Sequence, residues 1–187
     1  KTLFPYTTLF RSSYENEPIV VTATLREADV QDIPIAVTAV QPETLERQGI
    51  ADIKTLSSIT PSFNIQSSQT ETQGTSIRIR GVGTTGNNTG LESSVGVFID
   101  GVYQSRPGVA LGDLVDLERL EVLRGPQGTL YGRNTNGGAI NITTGMPTDK
   151  LEASLTTTGY FDGDNGVDAT AVVSGPLSDR FKARMAV

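Results

Sequence analysis

The hydrophobic rhythm of the chain changes at Pro147. Before it, apolar residues come in short runs broken by glycine-rich stretches. Ile19-Val20-Val21-Thr22 is β-branched and favours an extended backbone. Polar residues flank it at 13–17 and 26–32, and no partner strand is evident nearby, so it is expected to be an exposed, pairable edge. Residues 35–40 (IAVTAV) read as a buried strand. Pro42-Glu43 opens a short helix through Gln48, with Gly49 suited to the stop. Ile50, Ile53, Leu56 and Ile59 recur every three residues and predict a second short helix, which Pro61 ends. Residues 76–80 (SIRIR) alternate strictly and read as a strand, and residues 81–94, rich in Gly, Thr and Asn, as a loop. Residues 95–99 and 102–103 flank Asp100-Gly101, a strong two-residue hairpin signal. Residues 114–120 read as a short helical turn leading into Glu121-Val122-Leu123. Then come a turn at 125–128, a loop at 132–138 and a strand at 139–143.

After Pro147 the period becomes two. Leu151, Ala153 and Leu155 alternate with Glu152, Ser154 and Thr156; a loop follows at 162–166. Val167, Ala169, Ala171 and Val173 alternate with Asp168, Thr170 and Ser174. A turn at 175–179 leads to Phe181, Ala183 and Met185, alternating with Lys182 and Arg184. Three antiparallel strands with apolar and polar faces suit a transmembrane barrel. They suit a soluble β-meander equally well.

Composition narrows the classes. The 187 residues allow one domain with an appendage, and 36% hydrophobic residues allow a modest core. Twenty glycines indicate many turns and tight backbone passages. The net charge is −6, from 21 acidic and 15 basic residues, and no Lys/Arg cluster suggests nucleic acid. Without Cys or His the chain has no thiol nucleophile, no disulfide and no imidazole ligand or proton shuttle. No apolar run is long enough for a membrane helix, although barrel strands carry a far weaker signal. No spacing of acidic or hydroxyl residues implies catalysis, a metal site or a cofactor. Residues 2–12 resemble the translation of a sequencing-library adapter and lack the apolar stretch of a signal peptide. Residues 1–13 are therefore set apart from the fold.

Five motifs occur in one order. Glu17-Pro18-Ile19-Val20-Val21-Thr22-Ala23 resembles the TonB box of TonB-dependent outer-membrane receptors. Ile79-Arg80-Gly81-Val82-Gly83 resembles an Arg-Gly step in their plug domain, and Val97-Phe98-Ile99-Asp100-Gly101-Val102 its central hairpin. Residues 117–132 (LERLEVLRGPQGTLYG) are similar to the most distinctive run of the family, and Asn136-Gly137-Gly138-Ala139-Ile140-Asn141-Ile142 to the closing strand of the plug. The resemblance covers nearly all of residues 17–187. It implies an α+β plug domain, a small mixed sheet with short helices, followed by the first antiparallel strands of an incomplete transmembrane β-barrel. The expected division is a TonB-box segment and linker at 14–33, the plug at 34–146 and three barrel strands at 147–187. A barrel of this plugged class needs about 22 strands, so these residues alone should transport nothing.

The resemblance also implies a function, TonB-dependent import of a scarce nutrient across the Gram-negative outer membrane, with an iron–siderophore chelate the leading substrate. The partners implied are TonB, that ligand and outer-membrane lipid. An extended segment can join a partner's sheet edge through its main chain, which suits residues 17–23 to energy coupling. Arg80 and Arg124 are expected to lock the plug to barrel carboxylates. Thr84, Thr85, Asn87, Asn88, Gln104 and Arg106 are candidate ligand contacts on the outer loops. Two other readings compete. A freestanding periplasmic binding module leaves 150–187 unexplained. A dinucleotide-binding oxidoreductase would use Gly81-Val82-Gly83-Thr84-Thr85-Gly86 with Asp100, but residues 84–94 are too rich in Gly and Asn for the helix that site needs.

Overall fold

The computed structural model describes residues 20–22, 28–41, 44, 57, 60–67, 75–84, 91–106, 116–160, 166–178 and 180–187. The helices expected over 42–48 and 50–59 lie outside the described residues, except that Thr44 is helical and Ser57 sits in a tighter helical turn.

The described strands are β1 (Val20–Val21), β2 (Ala28–Asp29), β3 (Ala36–Val40), β4 (Phe63–Ser67), β5 (Thr75–Ile79), β6 (Val95–Ile99), β7 (Val102–Gln104), β8 (Leu117–Arg124), β9 (Gly138–Thr144), β10 (Glu152–Tyr160), β11 (Gly166–Ser178) and β12 (Phe181–Ala186). A single helical turn, α1 (Gly128–Tyr131), lies between β8 and β9. The centre is a five-stranded sheet in the order β3-β8-β9-β6-β7, in which only the β6–β9 pair is parallel. Both faces of β8 and β9 are covered, so consecutive residues are buried, 120–123 in β8 and 138–142 in β9, instead of every second one. Val40, Val95, Val97, Leu120, Val122, Ile140 and Ile142 pack on one face against Phe63, Ile77 and Ile79 of the β4–β5 hairpin. Phe98, Leu123 and Ala139 pack on the other face with Val21 of the β1–β2 pair.

Two turns set the hairpins. Asp100 and Gly101 have φ of 48° and 77°, and Arg80 and Gly81 have 53° and 78°. Positive φ at both central residues is the primed turn that matches strand twist. The Arg80-Gly81 step thus closes a second tight turn, with Ile79 and Val82 exchanging both main-chain bonds at 3.0 and 2.9 Å. Gly138 has φ 149°, and a Cβ there would press on the Leu123 carbonyl and lie 2.8 Å from Ile79 Cδ1. The closing strand can therefore enter the sheet at that point only as glycine.

Three expectations change. Residues 117–120 are strand rather than a helical turn, because Leu120 and Val122 pair into β9 as Ile142 and Ile140 neighbours, with a bulge between Leu117 and Arg119. The predicted turn at 175–179 is shorter, since β11 runs on to Ser178 and accommodates Pro176 at a bulge, the position where a strand tolerates proline. β4 was not predicted, although Phe63-Asn64-Ile65-Gln66 alternates.

β10, β11 and β12 form a separate antiparallel sheet that is not closed. Glu152, Ser174 and Arg184 are in register on one face, and Ala153, Val173 and Met185 on the other. Leu155, Val167, Val173, Met185 and Val187 are all exposed. An apolar face left open beside a polar face turned towards the first domain is the pattern of barrel wall.

Candidate functional site

The segment expected to couple to TonB is docked where it is described. Val20 and Val21 pair with Asp29 and Ala28, and Val21 is fully buried beside Phe98, Leu123 and Ala139, with Val37, Tyr103 and Tyr131 packed around them. Phe98 lies 5.6 Å from the Tyr103 ring and 4.9 Å from that of Tyr131. This corrects the expectation of a lone, exposed edge. Strand pairing is a main-chain property, so Ala28 and Asp29 serve as a partner although nothing in their side chains announces it. Glu17, Pro18, Ile19 and Ala23 lie outside the described residues.

Glu121 fixes the end of the segment. Its neighbours Leu120, Val122 and Leu123 are apolar, and its own side chain is completely buried. The Thr22 N–H donates to Glu121 Oε1 at 2.6 Å, and the Thr22 hydroxyl lies 3.2 Å from the same oxygen. Asn141 Nδ2 donates to Thr22 Oγ1 at 3.2 Å and to Glu121 Oε2 at 3.3 Å. Arg119 Nε approaches Glu121 Oε1 to 3.0 Å, but its N–H is not aligned for a hydrogen bond, so the contact is an ion pair. A buried carboxylate requires this density of partners. Tyr131, whose hydroxyl has no hydrogen-bond partner, is pushed up to about 12 by burial first and the negative charge of Glu121 second, so its phenol stays neutral. No sequence feature distinguished Glu121 from a solvated strand residue.

Both expected lock arginines adjoin Gly125, Arg80 in space and Arg124 in sequence. Arg80 is exposed at its turn, and its guanidinium lies 3.8 Å from where a Cβ on Gly125 would sit. Arg124 precedes that glycine, and its Nε is buried without a hydrogen-bond partner. Among the described residues no carboxylate pairs with either arginine.

The outer-loop candidates are divided. The Thr84 hydroxyl is used inside the fold, 3.1 Å from the Glu92 carbonyl and 2.8 Å from Ser94 Oγ. Gln104 Nε2 donates to the Val102 carbonyl of its own strand at 3.2 Å, and Arg106 is exposed. Thr85, Asn87 and Asn88 lie outside the described residues. A contact not foreseen joins the loops: Asn134 Nδ2 donates to Glu92 Oε2 at 2.6 Å and to the Tyr103 hydroxyl at 3.0 Å.

The dinucleotide reading finds no support. Val82 folds back onto Ile79 instead of opening a helix. Both oxygens of Asp100 accept from Thr144, from its N–H at 2.9 Å and its hydroxyl at 2.8 Å. Among the described residues no three acidic side chains gather as a cation site, and no helix is long and apolar enough to cross a membrane.

Comparison with known proteins agrees with this architecture. Residues 29–139 match the model of the TonB-dependent Receptor Plug Domain. The pesticin receptor of Yersinia pestis is 31% identical over 175 residues, 90% of this chain and 24% of that protein. The iron-regulated outer membrane virulence protein of Vibrio cholerae is 31% identical over 180 residues, 88% of this chain and 26% of that one. The crystal structure of the ferric yersiniabactin uptake receptor of Yersinia pestis superposes with a TM-score of 0.65 at 28% identity, over 78% of this chain and 22% of that receptor. The chain thus spans about a quarter of the length of the relatives it matches.

Proposed function

The chain belongs to the TonB-dependent receptor family, whose plug domain it matches over more than half its length, and from that premise we propose that the parent protein imports an iron–siderophore chelate by TonB-coupled transport. The family's place is the outer membrane of Gram-negative bacteria, and its role is that of a transport receptor rather than an enzyme. The observation that carries the reading is the direct continuation of the plug into an unclosed sheet with one apolar face open. A freestanding periplasmic module offers no reason for that face, whose open edges would invite aggregation. Residues 14–33 supply the coupling segment, 34–146 the plug and 147–187 the first wall strands. Iron chelates are favoured as the substrate because relatives are named for iron regulation and for ferric yersiniabactin. Cells expressing the full-length protein as their sole receptor of this type are expected to take up labelled ferric siderophore only while TonB is present. Uptake of cobalamin or an oligosaccharide instead would replace the substrate, and TonB-independent uptake would overturn the reading.

Arg80 and Arg124 act in this proposal as cations awaiting barrel carboxylates. The buried Nε of Arg124 has no hydrogen-bond partner and is the atom such an anion would meet, while the exposed Arg80 guanidinium beside Gly125 is open to another. In the full-length protein Arg80→Met or Arg124→Met is expected to speed plug amide exchange about tenfold, equivalent to ~1.4 kcal/mol. Unchanged protection in both variants would remove the lock.

A further inference from the structure

We infer that Asp116 and Arg184 clamp the plug's exit to the third wall strand and that this end stays fixed while the receptor works. The pair reverses the polarity of the Arg80 and Arg124 arrangement, because here the carboxylate belongs to the plug and the guanidinium to the wall. Arg184 of β12 donates from Nε to Asp116 Oδ2 at 2.6 Å, and from Nη2 to Asp116 Oδ1, a two-pronged contact between residues 68 positions apart. Such forked pairs are strong and directional. Both side chains are largely withdrawn from water, at 22% and 12% exposure, so solvent screens them less than a surface pair.

The backbone on the plug side is shaped for this contact. Asp116 lies just before β8 with φ 60°, a conformation Asp tolerates better than most residues. Its carbonyl accepts from the Gly145 N–H at 2.9 Å, which joins the start of β8 to the end of β9. A Cβ on Gly145 would lie 2.7 to 2.9 Å from Nε, Cζ and Nη2 of Arg184, so the guanidinium rests on a surface only glycine provides. Arg184 Nη1 reaches the Met146 carbonyl at 3.4 Å. Arg184 thereby holds both the entry to β8 and the first residues of the strap leaving the plug.

The strap is fastened again further on. The Thr148 N–H donates to Ser174 Oγ at 2.9 Å, and the two hydroxyls are 2.9 Å apart. Ser174 is fully buried, in register with Arg184 on the same face of the wall. Two successive attachments on neighbouring wall strands leave no slack for a hinge between plug and barrel. The resting clamp rests on the fold alone, and its persistence during work rests on the transport reading above.

Two measurements on the full-length receptor test the two halves. Asp116→Asn keeps a side chain suited to positive φ and removes the charge, Arg184→Gln removes the fork, and Gly145→Ala displaces the guanidinium. In all three variants the amide at position 145, which donates to the Asp116 carbonyl, is expected to exchange at least tenfold faster. The Asp116→Asn/Arg184→Gln double variant should be no worse than either single one, since coupled partners are non-additive. Unchanged exchange, or additive losses, would overturn the clamp. A disulfide between Thr148→Cys and Ser174→Cys should leave uptake unaltered. Uptake lost on oxidation and regained on reduction would show that the exit moves. If the wild-type receptor imports nothing, the transport reading and the fixed exit fall together, while the exchange results still decide the clamp.

Discussion

Proline in place of Val21 is expected to abolish uptake by the full-length receptor while ligand binding at the cell surface is unchanged. Coupling by strand addition relies on main-chain donors. Proline removes one of them and adds a ring where the neighbouring strand must approach. A fall of about a hundredfold corresponds to roughly 2.7 kcal/mol, within reach of a lost ladder bond and the misalignment around it. The docked position of Val21 adds a complication, because proline also disturbs the β1–β2 pair and the pocket formed by Phe98, Leu123 and Ala139. Val21→Ala separates the two effects. It keeps the N–H, weakens docking, and should retain uptake. Equal loss of labelled-chelate uptake in both variants would mean that the side chain rather than the backbone carries the coupling role.

The docked segment is energetically poised. Burying the Val21 side chain contributes roughly 1.5–3 kcal/mol, and the Thr22 N–H bonded to a carboxylate about 1.5–3 kcal/mol more. Ordering residues 20–22 costs about 1–2 kcal/mol each. Gain and cost nearly cancel, so a competing sheet edge need supply only a small excess to win the segment. The same residues are therefore part of the plug's second core and, on the proposed function, the handle by which the receptor would be pulled.

The sequence disclosed what is written in local chemistry. Asp100-Gly101 was legible as a hairpin because primed turns select those residues. Arg80-Gly81 has the same geometry but was read only as a family motif, since arginine is an unusual residue at positive φ. The alternation over 151–185 gave all three wall strands and missed only the bulge at Pro176 that prolongs β11. What was hidden is long-range. Glu121 lies between apolar residues in β8, where an acidic residue ordinarily marks the wet face of a strand. Here both faces of the strand are covered, and its partners Thr22 and Asn141 are 99 and 20 positions away. Asp116 and Arg184 are 68 positions apart, and neither lies in a motif. The same is true of β1: the Val20-Val21 stretch was recognisable, but its partner strand consists of two residues with no strand signal.

Glu121 is therefore the position where a single substitution should most affect the plug itself. Glu121→Ala removes the acceptor for Thr22 and Asn141 and the anion facing Arg119. Leaving partly buried donors and a cation uncompensated is expected to destabilise the plug by about 3–5 kcal/mol. The Thr22 amide should lose its protection, and residues 20–22 should become accessible to protease in the resting receptor. Glu121→Gln retains the shape and one acceptor oxygen, so it should loosen Thr22 with a smaller loss of stability. The two variants distinguish a structural role from a holding role. If Glu121→Gln frees the Thr22 amide while the amides of β9 keep their protection, the carboxylate acts chiefly on the coupling segment. If Thr22 and β9 lose protection together, Glu121 is a keystone of the sheet and the segment merely rests on it. Full protection of Thr22 in Glu121→Ala would show that Val21 alone, through its apolar pocket, keeps the segment docked.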